Sequence, residues 1–155
     1  MKNLKFQTIL LLITGLLIAS TNVNAQRDNN GWGQNSNYGR LFNANTIETI
    51  SGTVEAVEFI SMDTKMSTGI HLEVKTKTQT ISVHLGPSWY LDNQDIQFQK
   101  GDEITVTGSR ISYRNAPAII AVEIEKGDSV LLLRDKTGYP VWSGWRKKGM
   151  GKGRN

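Results

Sequence analysis

The chain has 155 residues, 38% of them hydrophobic, enough for one domain of ordinary size, and it contains no cysteine. That last fact excludes a disulfide framework, a lipid-modified cysteine and covalently attached haem, and no cofactor is expected. The formal charge of +4 is unevenly spread: between residues 26 and 143 eleven basic side chains stand against fourteen acidic ones, a net of −3, and the surplus lies at the two ends.

Lys2 and Lys5 precede an apolar run, Ile9 to Ile18, interrupted by Thr14 and Gly15. A retained membrane helix needs about 20 apolar residues, so this run is too short. With Val23-Asn24-Ala25 behind it, residues 1–25 read as a signal peptide cut before Gln26, which predicts a periplasmic or secreted mature protein. Residues 26–45, "QRDNNGWGQNSNYGRLFNAN", show neither helical nor alternating periodicity. They predict a disordered Asn/Gly-rich leader in which Trp32 and Tyr38 are spacer aromatics.

Strand signals follow. "TIETISGTVEAVEF" puts Ile50, Gly52, Val54 and Ala56 on one face, but Val57 and Phe59 in the opposite phase, which predicts a bulge near Ala56 or Val57. Gly52 marks the sharp bend that a small closed barrel asks of a long first strand. "GIHLEVK" and "TISVHL" form a hairpin with Ile70, Leu72 and Val74 inward against Leu85, Val83 and Ile81. That register places His71 directly opposite His84 on the outer face, where paired Cβ atoms lie about 4.5 to 5.5 Å apart. Two imidazoles so close are candidate metal ligands with Glu73 as a diagonal third, yet a firm site takes three or four ligands. A polar pair on a solvated sheet face is the expected arrangement.

Gly86-Pro87 ends this strand, and the spacing of Trp89, Leu91, Ile96 and Phe98 suits a short helix or an irregular crossover. Trp89 is expected to plug the barrel end, and Tyr90, with its hydroxyl, to reach the surface. "KGDEITVTGSRISY" gives a strand with Ile104 and Val106 inward and a second bend at Gly108. After a turn at Arg114-Asn115-Ala116-Pro117, "AIIAVEIEK" returns with Ile120, Val122 and Ile124 inward. "SVLLLRDKTGYPVW" is a last hairpin turning at Asp135 to Gly138, with Arg134 placed to stack on Trp142 or Trp145 as a structural clasp. Residues 143–155 form a flexible basic tail carrying Arg146, Lys147, Lys148, Lys152 and Arg154.

A bent strand, a hairpin, a linking segment, a second hairpin and an extra hairpin make an all-β domain over residues 46–142. The order is that of a small five-stranded oligonucleotide/oligosaccharide-binding (OB) barrel with a C-terminal hairpin added. The phrases "SGTVEAVEF", "ISVHLGPSWYLD", "KGDEITVTGSR" and "PAIIAVEIEKGDSVLLLRDKTGYPVWSGW" resemble a group of small exported bacterial OB-like domains that includes the magnetosome-associated MamS/MamX domain. The resemblance carries over no catalytic residue. Some of those relatives add haem-binding Cys-x-x-Cys-His motifs, from which this cysteine-free chain departs.

Hydrolytic chemistry has no foothold here: there is no cysteine and no Gly-x-Ser-x-Gly, so no enzyme is expected. The leading expectation is a non-enzymatic envelope domain whose barrel binds a partner protein or small anionic ligand. Its tail would add attraction to an anionic membrane surface or polysaccharide, nucleic acid being the less expected partner. The alternative is an oligonucleotide or oligosaccharide binder, with Tyr90, Arg110, Tyr113 and Arg114 as a stacking and charge surface.

Overall fold

The computed structural model describes residues 31–61 and 66–144. The described residues form six strands, β1 (Ile47–Ile60), β2 (Gly69–Lys75), β3 (Thr80–Pro87), β4 (Glu103–Tyr113), β5 (Ala116–Lys126) and β6 (Ser129–Leu132). One helical turn, α1 (Ser88–Leu91), leads out of β3. The strands run β3-β2-β1-β4-β5-β6, and a parallel pairing of Ser82–His84 with Ala118–Ile120 joins β3 to β5. That pairing closes five strands into a barrel with OB connectivity and leaves β6 as an appended edge.

Closure depends on β1 serving two neighbours. Residues 47–53 pair with β4 and residues 53–60 with β2, so the strand must coil sharply between them. Two features permit this. Glu55 is bulged out between Val54 and Ala56, one residue before the expected position. At Gly52 a Cβ would strike the Lys75 carbonyl, so glycine alone lets β1 and β2 approach there. Inside the barrel Val54, Leu72, Val74, Val83, Val106, Ile119 and Ile124 are wholly buried, each contributing roughly 1.5 to 3 kcal/mol of transfer free energy.

Two expectations about side-chain direction and one about pairing change. The β4–β5 register shifts between Thr107 and Gly108, leaving Val122 unpaired, and a one-residue shift exchanges the faces of everything beyond it. Ile119, opposite Val83, therefore points inward, while Ile120 joins His84 on the outer face. A second shift, after Ile70, pairs that residue with Gly86 instead of Leu85, although His71 still meets His84. On α1, Tyr90 is buried and packs against Trp142 with ring centroids 5.3 Å apart, whereas Trp89 is part-buried, the reverse of the expected roles.

The largest departure concerns the leader. Residues 31–46 are not a loose spacer: they run across the barrel's outer surface through two single 3-10 turns, Gly39–Leu41 and Ala44–Thr46. Trp32 and Tyr38 are buried in the common apolar cluster. At the other end β6 hairpins with β5, and the chain turns again at Asp135–Tyr139, with Gly138 at φ +85° in the left-handed position foreseen for it. The Asp135 carboxylate accepts from the Thr137 amide and hydroxyl and from the Tyr139 amide, which fixes this turn. The signal-peptide reading, residues 26–30 of the leader, Trp145 and the basic tail lie outside the described residues.

Candidate functional site

The outer face of β2, β3 and β5 carries His71, His84 and Ile120, with Ser109, Ile111 and Tyr113 of β4 continuing it. In an OB barrel the face of strands 2 and 3 is where ligands usually lie. Here two segments of the same chain cover it, residues 31–46, which we call the strap, and the C-terminal hairpin.

The strap is held ring by ring. Trp32 lies over Gly69, where a Cβ would overlap its six-membered ring, and its indole N–H donates to the Ser67 carbonyl at 3.0 Å. Phe42 covers Gly138 in the same manner, and Trp142 covers Gly86. Tyr38 meets Trp32 edge to face at 5.3 Å, and its hydroxyl is hydrogen-bonded to His84 Nδ1 at 3.0 Å. Few backbone contacts add to this. The Asn43 amide donates to Ser109 Oγ, the Gln34 side chain to the Thr137 carbonyl and Trp142 Nε1 to the Trp32 carbonyl.

Beneath the strap the two imidazoles stack, centroids 3.7 Å apart and planes 12° from parallel. Both residues are 1% exposed. Burial pushes His71 down to about 4, helped by the Arg114 charge, and burial together with His71 and Arg134 pushes His84 down to about 2. Both rings are neutral at physiological pH. Burial also pushes the Tyr38 phenol up, partly opposed by Arg134. Arg134 itself is buried, stacked 4.8 Å over Trp142, with Nη1 donating to the Leu85 and Ala121 carbonyls at 2.9 and 2.6 Å. Burial lowers it to about 10, which keeps it charged.

The histidines therefore form no polar pair on a wet surface, and the reason is the strap above them. Nor does their geometry suit a shared ion. Stacked rings direct their nitrogen lone pairs along parallel planes instead of toward one point, and among the described residues no group of three His, Asp or Glu converges on a possible ion site.

The four residues expected to form a ligand surface are split up. Arg114 lies 5.2 Å over the Tyr113 ring, so these two do meet, at the turn between β4 and β5. Tyr113, however, meets His84 at right angles, ring centroids 5.0 Å apart, as part of the covered layer. Arg110 projects from the opposite face of β4, where Nε and Nη2 hold Glu48 at 2.8 and 2.6 Å. Tyr90 is buried beside Trp142. Alternation alone separates Arg110 from Tyr113, three residues apart on one strand.

Two features remain open. An open groove of about 700 Å³ runs past Gly52 and Gly127, lined by Lys75, Lys77, Glu103 and Glu125, whose opposed charges leave it without a marked preference for anions. Beside it lies the outer face of β1, β4, β5 and β6. There Thr49, Thr107, Glu123 and Leu132 form one cross-strand row, and Ser51, Thr105, Glu125 and Val130 the next. The hydroxyls of each row bond to one another, Thr49 to Thr107 at 2.9 Å and Ser51 to Thr105 at 3.0 Å. Val130 and Leu132 are 61% and 49% exposed on the edge strand.

A family model described as the MamS/MamX magnetosome protein family matches residues 46–131, which spans the whole closed barrel and most of β6. The chain belongs to that family. Within it this chain is a small domain of the accessory or binding kind, and the match begins where the strap ends. No match was found among curated proteins. Among solved structures, a chain of the S. pombe Stn1–Ten1 complex is similar, with 17% identity, a TM-score of 0.42, and coverage of 65% of this chain and 66% of that one. This MamS/MamX domain thus spans slightly less than two thirds of that relative.

Proposed function

We propose that this protein is an exported, non-catalytic accessory domain that holds a partner protein against the outer face of β5 and β6, the partner adding a strand along β6. The observation that supports it best is β6 itself. Among the described residues this strand pairs with β5 alone, ends the sheet, and presents Val130 and Leu132 outward. An edge strand with apolar side chains is a template for another strand, main-chain hydrogen bonds giving affinity and alternate side chains selectivity. The nucleic-acid alternative is less well supported, because the barrel face that such ligands use is occupied by the strap.

Export rests on the first 25 residues of the sequence. A photo-crosslinking residue at position 130, read in the envelope fraction, tests the docking. A discrete adduct is expected from this position and none from Lys77 on the neighbouring β2–β3 turn, and the Leu132→Lys change should abolish it. Equal adducts from both positions, or one indifferent to Leu132→Lys, would rule the reading out.

A further inference from the structure

We propose that the strap is a docked peptide ligand held in cis, and that the barrel face beneath it is a second binding site, for an extended partner segment bearing an indole and a phenol about six residues apart. The site is formed by Gly69, His71, His84, Tyr113, Ile120 and Trp142. It is distinct from the β6 edge and stands or falls independently of it.

Four observations lead to this site. The family match begins at residue 46, so the strap lies outside the matched residues while the closed barrel lies within them. The strands close on one another through β3–β5 pairing, and no strand of the barrel needs residues 31–45 for its ladder. The strap adds no strand of its own and is seated by rings, Trp32 on Gly69 and Tyr38 on His84, the mode in which a peptide engages a groove. Last, the strap leaves the site incompletely satisfied. His71 Nε2 is buried and has no hydrogen-bond partner among the described residues, although a buried ring nitrogen ordinarily has one. A segment placing a donor or acceptor there would gain a contact that the strap lacks.

The chemistry of the occupant follows from the seats. The plane above Gly69 admits a flat ring because the position has no Cβ. His84 Nδ1 selects a hydroxyl-bearing ring over a plain phenyl, and the Tyr113 ring and the Trp142 layer bound the slot. A flexible polar strand without aromatics would fill none of these positions. The strap outcompetes such a partner in the resting protein because it is tethered, at an effective concentration on the order of millimolar.

The test uses the mature chain and, as probe, a fluorescein-labelled synthetic peptide of residues 31–46. In the Trp32→Ala/Tyr38→Ala protein, whose own strap no longer competes, fluorescence anisotropy should report saturable binding at least tenfold tighter than to the unaltered protein. A probe carrying the same two alanines should not bind. Tyr38→Phe in the protein, which keeps the ring and loses the bond to His84, should give an intermediate gain of a few-fold. The proposal is overturned if the double variant melts cooperatively yet takes up no peptide. It is equally overturned if that variant no longer folds, since a strap that can leave must leave a folded barrel behind.

Discussion

His71 and His84 meet because the hairpin register puts them opposite each other, and that much alternation in the sequence revealed. Their burial was not readable, because the cover comes from residues 31–46, whose lack of periodicity is also the mark of disorder. A ring that docks singly onto a glycine leaves no repeat to detect. The consequence is a definite acid sensitivity. Both folded values, about 4 and about 2, lie below the unfolded value, so the unfolded chain binds protons first as pH falls below about 6.5. Stability from the pair is fully present above that pH and declines toward pH 4, with a slope on the order of 1.4 kcal/mol per pH unit for each histidine. Urea midpoints measured from pH 7 to 4 should fall steeply, and the His71→Phe/His84→Phe variant should flatten the curve. An unchanged slope would mean the rings are not the titrating groups. Arg134 belongs to the same layer. Replacing it by Met keeps the packing on Trp142 but strands the Leu85 and Ala121 carbonyls, so a loss of roughly 1 to 3 kcal/mol per abandoned acceptor is expected by thermal melt.

At the level of elements, the strands were legible and their phases were not wholly so. On the strands the departures sit at bulges: Ile120 turns outward past the shift at Gly108, and Ile70 changes partner at its own shift while Leu85 stays buried as expected. A bulge costs one residue and leaves composition unchanged, so it can be inferred only where the apolar pattern visibly breaks, as it does near Ala56. The exchange of Trp89 and Tyr90 has another cause. Size suggested that the larger ring would fill the barrel end, but one turn of helix decides which side chains face in, and α1 buries its last two residues, Tyr90 and Leu91. The glycines have two distinct roles. Gly52 and Gly108 mark bends, whereas Gly69 and Gly86 are seats for the Trp32 and Trp142 rings, a role that strand alternation does not signal. Gly69→Ala should therefore act on the strap and leave the strands in place. The added methyl meets the Trp32 ring, and a cost of roughly 1 to 3 kcal/mol is expected, with the tryptophan emission moved to the red as Trp32 loosens. Undisturbed emission would show that the ring can shift without leaving.

For the molecule as a whole, charge separates what the fold unites. The barrel and its two covering segments form one apolar cluster, but residues 26–143 carry a net −3, while Arg146, Lys147, Lys148, Lys152 and Arg154 bring five cations with no acid among them. Those five lie outside the described residues, and their behaviour follows from composition alone. A body of like net sign repels anionic polymers and membranes, so attraction to such surfaces is expected from this segment and is screened by salt, with a Debye length of about 8 Å at physiological ionic strength. Retention on heparin should accordingly fall as salt rises, the logarithmic slope bounded by the five charges available for counterion release. Replacing all five by alanine should abolish retention while leaving the melting temperature unchanged, because charged side chains add nothing to the apolar cluster that holds the barrel together. The comparison also assigns the interaction: if the substituted protein still binds heparin, the acidic body is not repelling it, and a cationic patch on the barrel itself, such as Arg114 above Tyr113, must be responsible.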